Sequence, residues 1–191
     1  MRKLHLQMQM SIDGFVSTGP NDEQKWVTLV WKEIERYVTG LLDATDTILI
    51  GRKLAVDYIP YWQGVRNKPE DRFHGIAERI CRAQKVVFTK TLAASEWENT
   101  EIATGELAKE VNELKARSGK DMIVYGGSSF VSALLKERLV DEFHLFVNPV
   151  ALGKGEPIFG EIDVWQELKL IKSVSYDCGL VLLNYKLKDS S

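Results

Sequence analysis

Cysteine, histidine and proline are all scarce in this sequence: two, three and five among 191 residues. Cys81 and Cys178 stand far apart, without the close pairing of a metal knuckle or a redox motif. The three histidines are scattered, so no metal site is expected. So few cysteines fit a reduced compartment better than a disulfide framework. Charge of either sign is not in excess. Twenty-five Lys and Arg against 27 Asp and Glu leave a net charge of -2, which offers no electrostatic footprint for nucleic acid or an anionic membrane. Long apolar runs are missing too, and nothing approaches the roughly 18 to 20 residues that span a bilayer. The N-terminus, MRKLHLQMQMSIDG, alternates apolar and polar residues and lacks the continuous apolar core of a secretory leader. A soluble, cytoplasmic protein is expected, with neither nucleic acid nor membrane as partner.

The chain does carry an ordinary globular composition, 45% apolar and 27% charged, at a length suited to one domain. That domain is expected over residues 1–188, with 189–191 as a tail. Leu4, Leu6, Met8 and Met10 alternate with Lys3, His5, Gln7 and Gln9, which predicts a half-buried first strand. Val27, Val30, Trp31, Ile34, Val38 and Leu41 recur at helical spacing, predicting a helix from Trp26 to about Ala44. TDTILIG, KVVFT and DMIVY read as buried strands. Helices are expected over Glu70–Arg82, Thr104–Ser118 and Ser128–Glu137, and an aromatic, proline-bearing connection over Tyr58–Pro69. DEFHLFVNPVAL, ELKLIKSVSY and LVLLNYKLK then follow with little helix between them, and Asp177-Cys178-Gly179 turns the chain before the last. Strands alternating with helices, closed by antiparallel strands, make an α/β protein: a mixed, mostly parallel sheet with helices on both faces.

Ligands of such sheets bind beyond the carboxyl ends of the parallel strands. Three strands end in small or cationic residues: ILIG in Gly51-Arg52-Lys53, VVFT in Thr89-Lys90-Thr91, and MIVY in Gly126-Gly127-Ser128-Ser129. Each fragment alone suits a turn. Together they supply bare backbone N–H groups, hydroxyls and cations, which is the inventory a pyrophosphate needs. The G-x-G-x-x-G of Rossmann proteins is absent.

The ordered set SIDGF, ILIGRKL, KVVFTKTL, IVYGGSSFVSALL and VDEFHLFVNPVALGKGEPIF resembles the dihydrofolate reductase superfamily. Its nearest branch is the C-terminal reductase domain of bacterial riboflavin biosynthesis, over Leu4 to about Leu187. The resemblance implies a three-layer α/β/α dihydrofolate-reductase-like fold that binds NADPH. Gly51, Arg52 and Lys53 would lie at the cofactor phosphates, Thr89 and Lys90 at the 2′-phosphate, and Gly126, Gly127, Ser128 and Ser129 at the pyrophosphate. Leu54 stands where the family usually has Thr, and Lys90 replaces the commoner Arg with a point charge.

Hydride transfer needs a proton source beside the substrate. Asp13, after the first strand, is one candidate; an Asx turn is the structural alternative. Glu35 on the first helix is the other, at the spacing before Gly51 that folate reductases show, with a solvated helix carboxylate as its alternative. Trp26, Trp31, Tyr58, Tyr61 and Trp62 are candidates to border a planar substrate. Pro149 argues for an edge or a bulge, and in the resembling family the segment after it shapes a subunit contact or pocket mouth, so a homodimer is expected. The expected function is NADPH-dependent reduction of a small heterocyclic or ribosylamino-pyrimidine substrate. Dihydrofolate reduction and non-catalytic nucleotide sensing are the alternatives.

Overall fold

The computed structural model describes residues 1–19, 22, 24–27 and 31–188, with the backbone alone for Trp31. Eight strands form one sheet. In chain order they are β1 (Leu4–Ser11), β3 (Thr45–Gly51), β4 (Gln84–Phe88), β5 (Thr100–Ala103), β6 (Asp121–Val124), β7 (Glu142–Asn148), β9 (Leu168–Ser175) and β10 (Val181–Leu187). The spatial order is β5-β4-β3-β6-β1-β7-β10-β9. The first six are mutually parallel, and β10 runs antiparallel between β7 and β9. The short strands β2 (Phe15–Ser17) and β8 (Glu156–Pro157) pair separately.

Parity along the strands sorts the helices into two layers. Leu4, Leu6, Leu49, Met122, Val124, Phe143 and Leu145 face α4 (Leu107–Ala116) and α5 (Ser128–Lys136) through Val111, Leu114, Val131 and Leu134. Ile48, Ile123 and Phe146 face α1 (Trp31–Asp43) and α3 (His74–Arg82), while Ile50 and Val87 receive Ala55 and Ile59 of α2 (Arg52–Arg66). The mixed sheet between two helical layers is as expected from the sequence.

Several elements differ from expectation. The segment with Pro60 is not a connection, because α2 runs straight through it. Val56, whose carbonyl a residue at 60 would normally bond, is exposed, so the missing N–H falls on the solvent face of the helix. Ala55 and Ile59, one turn apart, anchor the helix to the sheet. The third helix starts at His74 rather than Glu70, after turns in which Asp71 accepts the Phe73 N–H at 2.8 Å. The first helix is described from Trp31, and Lys25 and Trp26 form a turn; Val30 lies outside the described residues. β1 is not half-exposed but central: His5 is buried, and Gln7 and Gln9 are half-buried beneath the α1 layer. β7 is internal, and Pro149 falls just beyond its end. Among the described residues no helix is long and apolar enough to cross a membrane.

Candidate functional site

The three marked strand ends are neighbours. β4, β3 and β6 lie side by side, Gly51 stands opposite Phe88, and the Gly51 N–H donates to the Gly126 carbonyl at 3.3 Å. α2 begins at Arg52 and α5 at Ser128, directly behind two of those ends. Between them opens a cleft of about 1090 Å³, which all nine expected cofactor residues line: Gly51, Arg52, Lys53, Thr89, Lys90, Gly126, Gly127, Ser128 and Ser129. A cleft of this size matches small-molecule sites.

The double glycine divides into two roles. Gly126 has φ +147°, and a Cβ there would come within 3.1 Å of Leu54 Cδ2. Its bareness serves backbone geometry and packing. Gly127 has φ -69° and ψ 175°, ordinary extended backbone, and a Cβ there would meet nothing within 4 Å. Its bareness leaves open space on the cleft side. The peptide bond between the two is cis. The first α5 hydrogen bond runs from the Val131 N–H to the Gly127 carbonyl, so the N–H groups ahead of it lack an intrahelical acceptor. Neither α5 nor α2 has a side-chain cap. α4 does: the Glu106 carboxylate accepts from the Ala108 and Lys109 N–H groups, which holds its pKa below the ordinary range. Two helix N-termini are thus left polarised toward one cleft.

Charge in the cleft is mixed. Arg52 and Lys53 are exposed and have no ion-pair partner among the described residues, so their charge is available. Lys90 Nζ donates to the Thr104 and Gly105 carbonyls at 3.0 and 2.8 Å, which fixes the ammonium without neutralising it. Thr89 is committed locally: its oxygen accepts the Thr91 and Leu92 N–H groups at 3.1 and 3.3 Å, closing the turn after β4. Ser128 Oγ donates to Glu156 Oε2 at 2.6 Å. Asp22, Asp57, Glu106, Glu137 and Glu156 also bring carboxylates to the lining, and Leu54 offers an apolar contact.

The two acid candidates lie elsewhere. Asp13 is exposed, and its carboxylate accepts the Leu152 N–H (3.0 Å) and the Gly153 N–H (2.7 Å). A hydrogen bond with Ser11 and those N–H groups lower its pKa to about 2. Rather than closing an Asx turn on its own segment, it ties the β1 end to the chain after β7. Glu35 is on the exposed face of α1, on the Arg79 side. Neither lines the cleft. Nor do Trp26, Tyr58, Tyr61 and Trp62, and the Trp31 side chain is outside the described residues. Tyr58 and Trp62 instead pack in the α1–α3 layer, Tyr58 stacked on Tyr125 at 5.8 Å, and burial pushes both tyrosine pKa values up. Sequence reasoning missed Tyr125, Phe88 and Phe130, which do line the cleft, and Glu156 on the two-residue strand β8. The aromatic residues flank the glycine motifs and were readable there; Glu156 had no periodic signal.

A mainly parallel sheet with a cleft at adjacent strand ends and two closing strands defines a protein of the dihydrofolate-reductase-like fold. The dihydrofolate reductase of Enterococcus faecalis complexed with NADP(H) superposes with a TM-score of 0.62 at 12% identity, covering 98% of this chain and 97% of that one. A protein of Shewanella sp. PV-4 assigned to riboflavin biosynthesis does so with 0.76 at 20% identity, covering 98% and 99%. The chain belongs to the RibD C-terminal domain family, whose model matches residues 2–182. Bacillus subtilis (strain 168) YyaP is 32% identical over 188 residues, 96% of this chain and 94% of its own length.

Proposed function

We propose that this protein is an NADPH-dependent reductase of a small heterocyclic substrate of the ribosylamino-pyrimidine type. The observation that carries the reading is the convergence in one cleft of two uncapped helix N-termini with Arg52 and Lys53, which have no ion-pair partner among the described residues. That donor set suits a dinucleotide: N–H groups for phosphate oxygens, and cations for their charge. Gly127 and the Ser128–Ser129 helix start hold the pyrophosphate in this reading, Gly51, Arg52 and Lys53 bind alongside, and Lys90 faces the 2′-phosphate. Thr89 acts through its turn, placing Lys90 rather than spending its own oxygen on the ligand. The bound cofactor supplies a hydride. With Asp13 and Glu35 away from the cleft, the proton comes from water held by the polar lining. Membership of the RibD C-terminal domain family and the NADP(H) complex of the Enterococcus enzyme support the choice of cofactor.

Fluorescence titration of NADPH and NADH tests binding, and loss of NADPH absorbance with a ribosylamino-pyrimidine and with dihydrofolate tests turnover. NADPH is expected to bind more tightly than NADH. Lys90→Ala is expected to reduce NADPH affinity about tenfold while leaving NADH nearly unchanged, the loss of one charge-assisted contact. Equal losses would remove Lys90 from the 2′-phosphate, and binding of neither nucleotide would overturn the proposal. Binding without turnover of any substrate would favour the nucleotide-sensing alternative. We further propose a homodimer, supported by the exposed Val164, Trp165, Leu170 and Ile171 around the edge strand β9.

A further inference from the structure

We propose that His5, His144 and Glu142 form a binding site for one divalent transition-metal ion of the zinc class, at the amino ends of the internal strands β1 and β7, whereas the cleft lies at carboxyl ends. The sheet register builds it. His5 pairs with Glu142 across β1 and β7, and His144 follows two residues later on the same face, so rigid internal strands set all three positions. His5 Nδ1 lies 3.0 Å from His144 Nε2 and 3.6 Å from Glu142 Oε2, and His144 Nε2 lies 4.0 Å from that oxygen. The point about 2.1 Å from each atom, the length of zinc bonds to imidazole and carboxylate, lies in the plane of the three. A closing of the side chains by a few tenths of an ångström lifts the ion out of that plane for a fourth ligand. Two His and one Glu with a position left for water is a common zinc donor set.

The surroundings suit a metal as well. His5 Nε2 has the Asp121 Oδ2 acceptor at 3.1 Å, and His144 Nδ1 has the Tyr37 hydroxyl at 2.6 Å. With a metal on Nε2, the Nδ1–H donates to that hydroxyl and the Asn184 amide, a donor 3.2 Å away, is left to the Phe143 carbonyl. Outer partners of this kind orient metal-bound histidines. Glu142 gives its other oxygen to Lys3 Nζ at 2.7 Å. Lys186 stands opposite Glu142 across β10 and β7, so ammonium groups flank the carboxylate on both sides. Lys172 Nζ stands off, 5.9 Å from the Tyr37 ring centre.

The same heavy atoms admit a metal-free filling, a chain of hydrogen bonds from Tyr37 through His144 and His5 to Asp121. That chain leaves Glu142 Oε2 facing both imidazoles with no hydrogen bond to either, which is the gap a metal would close. The experiment separates the two. Full-length protein is stripped with chelator and titrated with Co2+, read by visible absorption, with Zn2+ as competitor. One equivalent of Co2+ with tetrahedral bands, displaced by Zn2+, is expected. Glu142→Gln and His144→Gln are expected to weaken it at least about tenfold. Folding of each variant is checked by circular dichroism, and Glu142→Gln preserves side-chain shape should His144→Gln fail to fold. Folded protein without a stoichiometric Co2+ site would overturn the proposal in favour of the hydrogen-bonded chain. So would Co2+ binding that survives Glu142→Gln.

Discussion

Asp13 shows how one side chain's partners decide what it can do. A carboxylate hydrogen-bonded to Ser11 and to two backbone N–H groups gives up its proton more readily, and its pKa falls from 3.8 to about 2. A lowered folded-state pKa means that the stabilisation is fully present above about pH 4 and fades as pH drops toward 2. The advantage of the native chain over Asp13→Asn in urea unfolding is therefore expected to be greatest at pH 5 and to shrink toward pH 2. In the same range that would reveal a neutral-pH acid, pH 5 to 8, Asp13→Asn is expected to leave the shape of any reductase pH profile unchanged. A profile limb lost in that variant would return Asp13 to the chemistry. Thr89 and Lys90 make the related point that a polar side chain near a site is not thereby a ligand. Thr89 is consumed by its own turn, whereas Lys90 keeps its charge because neutral carbonyls hold it.

At the scale of elements, the cleft depends on how helices begin. α4 closes its N-terminus with Glu106, while α5 starts at a glycine with nothing to cap it. Supplying the cap separates stability from binding. Gly127 has the extended backbone of an N-cap residue, so Gly127→Asp is expected to raise stability by a few tenths of a kcal/mol, roughly. The same carboxylate would stand where the pyrophosphate is proposed, and NADPH affinity is expected to fall at least about tenfold. Gly126→Ala behaves differently: its φ of +147° and the nearby Leu54 predict a loss of about 1–3 kcal/mol in urea unfolding. Two equal stability losses would show that both glycines serve only backbone geometry. Unchanged nucleotide binding in Gly127→Asp would move the phosphates off the α5 N-terminus.

Across the whole molecule the sheet has two chemically different ends and one unprotected side. Carboxyl ends of β4, β3 and β6 form the cleft; amino ends of β6, β1 and β7 carry Asp121, His5 and Glu142. The β9 side exposes Leu170 and Ile171 at 49% each, with Trp165 at 75% close by in sequence. Edge strands with apolar residues in water invite pairing. Sedimentation of the purified protein is expected to give a dimer, and the double variant Trp165→Glu, Ile171→Lys a folded monomer. A native chain that sediments as a monomer at micromolar concentration would sink the dimer.

The alternation of Leu4 to Met10, the buried runs ending in Gly51, Phe88 and Tyr125, and the helices behind them were legible because periodicity and turn chemistry are local properties of the chain. The nine residues around the cleft followed from the rule that strand ends gather ligands, once the strands were neighbours. Where the sequence misled, long-range packing had overridden a local cue. Pro60 sits inside a helix that Ala55 and Ile59 anchor, and the polar face of β1 is covered because β6 and β7 flank it. Asp13 and Glu35 had the right chemistry at plausible spacings, but spacing does not say which way a side chain faces. Scattered histidines 139 positions apart gave no sign of contact, and only the register of β1 against β7 brought them to 3.0 Å. By itself, then, the sequence determined the elements and the ends at which they stop. Tertiary structure decided which side chains share a space, since that depends on contacts between residues the chain keeps far apart.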